Sequence, residues 1–208
     1  MTLSFSVKRL TWLTACVVIL VILLGGILIL LNGMYHHQWD SPFVRRFAGM
    51  VSSAKVGDQK ISYAEYLKHV DAQTHYLSGP AARALGYPST LTKAFREQAL
   101  ERMIRMEMVE QMAKERGVIV TPLDVDRTFS ALIARTTSST SPEEIRGFIF
   151  DQFGWTEAEF QRYIIRPGLI EDILSTKRLQ ETNDPEAFSK EIEARLKSGD
   201  VKRYLAFS

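Results

Sequence analysis

The sequence is poor in the side chains that form disulfides and metal centres. Its 208 residues include one cysteine, Cys16, and four histidines. A single cysteine cannot form an intramolecular disulfide, so the folded part of the chain must rely on its apolar core. No histidine belongs to an H-E-x-x-H arrangement or has a cysteine beside it in the sequence, and we therefore predict no metal site. The four are His36, His37, His69 and His75.

Motifs for nucleotide binding and acyl chemistry are also missing. The sequence has no glycine-rich phosphate loop after a strand and no G-x-S-x-G nucleophile elbow. Its acidic pairs, Glu143 with Glu144 and Glu157 with Glu159, fall in the first turns of predicted helices, where the helix dipole accounts for them. We predict neither a catalytic residue nor a cofactor.

Net charge is small, and it lies at the N-terminus. The chain carries +2, and Lys8 and Arg9 are the only charged residues before residue 36. The remainder is therefore neutral, whereas binding to nucleic acid depends on an excess of Lys and Arg that neutralises phosphates. We predict no nucleic-acid partner.

One long apolar run, residues 10–31, contains no charged side chain. As an α-helix it would be about 33 Å long, enough to cross a hydrocarbon core of about 30 Å. Trp12 at one end, with Tyr35 and Trp39 beyond the other, matches the aromatic side chains found at membrane interfaces. The run therefore predicts a transmembrane anchor that contacts the bilayer through residues 10–31.

Two other interpretations of the apolar run fit less well. A cleaved signal peptide has a shorter apolar region followed by a small-x-small site, and Gly33–His36 provides no such site. Leu13–Cys16 is similar to a lipoprotein lipobox, but a lipobox closes the apolar region, and here most of that region follows the cysteine.

The charges that flank the anchor predict its orientation. Lys8 and Arg9 precede it directly, which favours a cytoplasmic N-terminus and places residues 36–208 outside the cytoplasm. Arg45 and Arg46, which follow the anchor, count against this orientation.

Beyond a linker, the sequence predicts a helical domain with one short extended segment. Lys55–Ile61 turns at Gly57 and is predicted to be extended. Ser62 and Glu65 form a capping box that opens the first helix. The longest helix is predicted over residues 91–116, and because its apolar residues surround most of its circumference, we expect it at the domain centre.

Further helix starts and two ion pairs are also predicted. The first turns after Thr121, Ser141 and Thr156 combine a capping hydroxyl with an acidic residue, and a short last helix follows Pro185. Spacing of i,i+4 along the longest helix predicts pairs of Glu101 with Arg105 and Glu110 with Lys114.

Methionine is concentrated on the longest helix. Methionine side chains are flexible and polarizable, so a surface rich in them can bind varied apolar partners. We predict that four methionines of this helix bind apolar segments of other proteins, called clients below. The alternative is that they fill the core of the domain. The four are Met103, Met106, Met108 and Met112.

Four stretches resemble the SurA/PpiD/PrsA-type foldases in order and spacing. Ala54–Ser62 resembles the family's opening strand and helix start, although the usual asparagine before Gly57 is missing. Ala99–Val118 resembles the long helix that ends in K-x-x-G-V/I. Thr121–Asp126 and Gly154–Tyr163 resemble the entries to the next helix and to the last helix of the family's chaperone domain.

The resemblance implies the domain organisation. Residues 1–35 are a cytoplasmic tail and transmembrane anchor, residues 36–53 a linker, residues 54–180 a SurA N-terminal-like helical chaperone domain, and residues 181–208 a C-terminal stub, similar to the start of a parvulin domain. The implied fold is mainly α. The implied protein is a single-pass bacterial cell-membrane protein with its folded domain outside the cytoplasm.

The function implied is that of a chaperone that binds unfolded or newly translocated polypeptides without ATP. Relatives are peptidyl-prolyl cis-trans isomerases, but the residues after 180 are too few for the sheet and histidine-containing pocket of a parvulin domain. We therefore expect no isomerase activity. A truncated isomerase and a helical interaction scaffold stay as alternatives.

Overall fold

A computed structural model describes the backbone of residues 3–136 and 141–207, and the side chains of residues 17–134 and 141–207. The chain forms two compact units, residues 1–47 with 205–208 and residues 48–204. The sequence prediction of a mainly α protein is confirmed. The polar stretch Thr136–Thr140 is predicted from the sequence to be a loop, and its residues 137–140 lie outside the described residues, as does the side chain of Trp12.

The smaller unit contains the N-terminal helix α1, Leu3–His37, and the short helix α2, Pro42–Phe47. Within α1, Val17–His37 has a mean hydropathy of 2.8, which makes it long and apolar enough to cross a membrane. After α1 the chain reverses, and the Trp39 N–H donates to the Gly33 carbonyl at 3.1 Å. The C-terminal residues join this unit through the Ala206 N–H, which donates to the Tyr35 carbonyl at 2.8 Å.

The larger unit begins with a 3₁₀ turn, Ala48–Met50, and a hairpin of β1, Ser52–Val56, and β2, Gln59–Ser62. Gly57 has φ +53° and takes the first central position of the two-residue loop, where such a φ favours glycine. A third strand, β3, Val201–Arg203, pairs antiparallel with β1, so the strand order is β2-β1-β3. The predicted extended segment is therefore the hairpin, and β3 is formed by residues assigned to the C-terminal stub.

Seven further helices follow the hairpin within the described residues. They are α3, Tyr63–Ser78; α4, Pro80–Ala84; α5, Lys93–Glu115; α6, Pro122–Thr136; α7, Pro142–Phe153; a continuous helix composed of α8, Glu157–Phe160, a π-helical turn, Gln161–Ile165, and α9, Arg166–Thr182; and α10, Ala187–Leu196. Capping boxes open three of them: those at Ser62 and Thr156 are as predicted, and at Ser141 the predicted capping hydroxyl is part of a full capping box with Glu144.

Helix α5 lies at the centre of the larger unit, as predicted. It packs against α3, α9, α10, β1 and β2. Its buried residues surround the helix, since it has neighbours on several sides. The core that it shares with those elements includes Tyr63, Ile104, Leu174 and Ile192, all of which are nearly fully buried.

The π-helical turn precedes Pro167, where the sequence predicts a kink or break. Proline has no N–H and cannot continue the regular i→i−4 pattern. The Arg166 N–H instead bonds the Gln161 carbonyl five residues back, and the helix continues to Thr182. Such a widened turn is one of the ways in which a helix accommodates an interruption. The turn also places Arg162, Tyr163 and Arg166 along one side of the groove described next.

Candidate functional site

A groove of about 460 Å³ lies in the larger unit between β2, α3, α5 and the π-helical turn. Its lining combines apolar, aromatic and charged side chains. Those that matter most for its chemistry are Lys60, Ile61, Glu65, His69, Met103, Met106, Glu107, Glu110, Lys114, Arg162, Tyr163 and Arg166.

Two methionines that the sequence nominates line this groove. Met103 is 6% exposed, and Met106 one turn later is half-buried. Met108 and Met112 lie among the buried core residues of α5, with 2% and 0% exposure, and do not belong to the groove lining. The structure therefore places two of the four at the groove and two in the core, and their role in client binding stays a prediction.

Two ion pairs connect the groove walls. Arg162 Nη2 donates to Glu65 Oε1 at 3.2 Å, which links the π-helical turn to α3. Arg166 binds Glu110 of α5 with both Nε and Nη2, at 2.7 and 3.1 Å, and its Nη1 donates to the Val120 carbonyl at 2.8 Å. The hydrogen bond to Glu110 raises the pKa of Arg166. Both arginines are held by carboxylates of the neighbouring wall.

Three charged groups of the groove have no opposite charge within ion-pair distance among the described residues. They are Lys60 on β2, Lys114 and Glu107 on α5. Burial raises the pKa of Glu107, while an electrostatic interaction with Lys114, beyond ion-pair distance, lowers it. Lys60 is therefore the main uncompensated charge of a groove whose lining contains four basic residues and three acidic ones.

His69 lies at the inner end of the groove and is 3% exposed. Its ring meets Tyr163 edge-on with a centroid distance of 4.7 Å and Trp155 at 5.4 Å. Burial, with smaller contributions from Arg102, Arg162 and Lys68, lowers the pKa of His69 to about 4, so the imidazole is neutral at physiological pH. Its Nε2 is buried without a hydrogen-bond partner within the described part of the protein.

A second cavity, of about 480 Å³, lies on the other side of His69 between α3, α5 and the residues around Trp155. Aromatic side chains dominate its lining, and Gln73, Gln98 and Arg102 supply its polar groups. The aromatic residues are Tyr76, Tyr87, Phe95, Phe153 and Trp155. His69 thus separates a charged groove from an aromatic cavity.

The predicted membrane-interface residues occur in the smaller unit. Tyr35 is half-buried, and Trp39 is 43% exposed. The Trp39 ring lies directly against Gly33, where a Cβ would approach a ring carbon to 2.2 Å. Their place at a bilayer surface stays a prediction.

The sequence indicates Glu65 as part of a capping box and Glu110 with Lys114 as an ion pair, but it does not indicate that the charged residues of the groove lie together. The structure also corrects two predicted ion pairs. Glu110 binds Arg166 rather than Lys114, and Glu101 binds Arg203 of β3 at 2.6 Å while Arg105 binds Glu171. No group of three or more His, Cys, Asp or Glu in the described part of the chain is placed to hold a metal ion.

Comparison with known proteins gives one match. The family model described as the SurA-like N-terminal domain matches residues 4–172, which includes the apolar helix as well as most of the larger unit. No curated protein and no solved structure matches the chain. Because the family model covers well over half of the sequence, the chain belongs to the family of SurA-like N-terminal domains.

Proposed function

We propose that this protein is a membrane-anchored chaperone that binds unfolded or newly translocated polypeptides outside the cytoplasm, without ATP. The groove beside α5 supports this proposal most directly. Its apolar lining consists mainly of Met106, which is half-buried, with Met103 and Tyr163, each 6% exposed, beneath it, and charged groups surround them. Apolar contacts of this kind bind many sequences weakly, which suits a protein with diverse clients.

The apolar helix gives the proposed chaperone its location. Val17–His37 is long and apolar enough to span a bilayer, and Lys8 and Arg9 favour a cytoplasmic N-terminus. An anchor confines the domain to the membrane surface, which raises its effective concentration near chains that emerge there. Weak binding at the groove is then sufficient for frequent capture.

Aggregation of a chemically denatured model protein tests the chaperone activity. The full chain in lipid nanodiscs is added without nucleotide, and light scattering is followed against empty nanodiscs. We expect the chain to suppress scattering at several-fold molar excess. Scattering equal to that with empty nanodiscs would overturn the proposal.

Labelling of an introduced cysteine tests the orientation. Asp58 is fully exposed in the hairpin loop, so Asp58→Cys in a Cys16→Ala background provides one reactive thiol in the larger unit. We expect a membrane-impermeant maleimide to label it in intact spheroplasts. Labelling only after lysis would place the larger unit in the cytoplasm and contradict the proposed location.

A further inference from the structure

The groove runs along the open edge of the three-stranded sheet. Strand β2 is an outer strand, since it pairs only with β1 within the described residues. Successive side chains of a strand point to opposite faces. Three consecutive residues of β2, Gln59, Lys60 and Ile61, line the groove, and from this we infer that the groove follows the free edge of the strand.

The hairpin register identifies the backbone groups on that edge. Val56 pairs with Gln59 across a two-residue loop, and the pair that closes such a loop exchanges hydrogen bonds between its strands. In an antiparallel ladder the next residue, Lys60, then directs its N–H and carbonyl away from β1. Lys55, the partner of Lys60, correspondingly faces β3, with which it also pairs.

The backbone N–H and carbonyl of Lys60 are the unpaired groups on this edge. No hydrogen bond to its N–H or carbonyl from another described element is present. The following edge position differs, because the Ser62 N–H donates to Glu65 Oε2 in the capping box. An unpaired N–H and carbonyl on an edge strand form a template for pairing with another extended chain.

We propose that an extended client segment binds by adding as a strand beside β2, where it exchanges two backbone hydrogen bonds with Lys60. Alternate side chains of the segment then face the groove, against Met103 and Met106. The inference rests on the proposed chaperone function and specifies how the same groove holds its client. Backbone pairing supplies affinity without selecting a sequence, while side-chain contacts add a preference.

Charge in the groove defines that preference. Lys60 forms no ion pair among the described residues and Lys114 interacts with Glu107 only beyond ion-pair distance, whereas the groove arginines are paired with Glu65 and Glu110. An acidic side chain in the added strand would compensate the Lys60 ammonium group. The preferred occupant is therefore an extended apolar segment that carries a carboxylate, rather than one that carries a basic group.

Substitution of Lys60 separates the backbone contribution from that of the side chain. The probe is a capped, fluorescein-labelled peptide of alternating Val and Thr with a central Glu, titrated by anisotropy against the full chain in nanodiscs. Lys60→Pro removes the outward N–H at an edge position, where proline is tolerated. Lys60→Ala keeps that N–H and removes only the ammonium group.

We expect Lys60→Pro to weaken peptide binding about tenfold and Lys60→Ala by no more than about threefold. Equal effects of the two substitutions would overturn strand addition. Replacing the central Glu of the peptide by Lys is expected to weaken binding, and unchanged binding would contradict the charge preference.

A chemical change in the peptide provides the test on the unaltered protein, so that a folding defect in Lys60→Pro cannot obscure the result. N-methylation at alternate peptide positions removes every second N–H. Two peptides are compared, one methylated at the odd positions and one at the even positions. We expect one of them to bind more weakly and the other to bind as the unmethylated peptide does. Equal binding of both methylated peptides, with aggregation still suppressed, would overturn strand addition and leave the proposed function in place. If the unmodified protein neither binds the peptide nor suppresses aggregation, both proposals are overturned.

Discussion

Glu65 uses its two carboxylate oxygens to hold two parts of the chain together. Oε2 accepts from the Ser62 N–H at 3.3 Å and closes the capping box of α3, while Oε1 accepts from Arg162 Nη2, 97 residues later, at 3.2 Å. The first contact is local and visible in the sequence. The second brings the π-helical turn to the groove, and only the folded chain shows it.

Replacing Glu65 by Ala tests the first of these roles. We expect a loss of about 1 kcal/mol in the free energy of unfolding, measured by urea denaturation, because an orphan amide loses its cap. Arg162→Ala is the matched control. It removes the exposed ion pair alone, and we expect it to cost less than about 0.5 kcal/mol. Because Glu65→Ala removes both contacts, equal losses with the two variants would show that the cap contributes no measurable stability.

The methionines of α5 are expected to divide into core and groove residues. Met112 is completely buried, so Met112→Ala should lower the free energy of unfolding by about 2 to 5 kcal/mol through cavity formation. Met106 is half-buried at the groove, so Met106→Ala should cost less stability and weaken suppression of client aggregation. Met106→Leu, which keeps the volume, serves as the control. Weaker client binding with Met106→Leu but not with Met106→Ala would contradict this division.

Stability should fall in mild acid because of His69. Burial lowers its pKa in the folded protein to about 4, against about 6.5 in an unfolded chain. Above pH 6.5 the imidazole is neutral in both states. As the pH falls towards 4, the unfolded chain takes up a proton that the folded one does not, and up to about 3 kcal/mol of stability is lost.

Comparison with His69→Gln separates the contribution of His69 from those of the carboxylates. Burial raises the pKa of Glu107, so this group makes the folded state more stable as the pH falls, opposite to His69. Urea denaturation at several values between pH 7.5 and pH 4.5 gives the free energy of unfolding of both proteins. We expect the wild type to lose more stability than His69→Gln over this range. Parallel pH dependences would show that His69 is not responsible.

Gly33 should be intolerant of a side chain. A Cβ there would lie 2.2 Å from a Trp39 ring carbon, so Gly33→Ala must displace the indole. Gly26 has no atom within 4 Å of its Cβ position, which makes Gly26→Ala the control. In a Trp12→Phe, Trp155→Phe background, we expect the Trp39 emission to shift with Gly33→Ala only. A shift with both substitutions, or with neither, would contradict the packing.

Local chemistry explains which elements the sequence predicted well. The capping boxes at Ser62 and Thr156 involve residues three apart and form as expected, and the predicted cap at Ser141 forms as well. The groove could not be predicted from the sequence because the residues that line it come from segments far apart in the chain. The carboxylate of Glu110 has Lys114 one turn away, yet it binds Arg166, 56 residues later, because α9 packs against α5 and offers a bidentate partner.

Strand β3 is another feature that could not be predicted from the local sequence. Val201–Arg203 is too short for a periodic pattern, and it becomes a strand only because β1 lies beside it. The hairpin, by contrast, was recognisable from the Gly57 turn. The open edge of β2 follows from the final strand order and could not be predicted from either strand alone.

Site-specific crosslinking in cells tests the central claim most directly, namely that the groove beside α5 binds newly translocated chains. A photoreactive phenylalanine replaces Met106 in the groove, or Ile119, an apolar residue that is 83% exposed and outside the groove lining. We predict that light yields adducts of many sizes from position 106 and few from position 119. No adducts from position 106, or equal yields from both positions, would contradict the account.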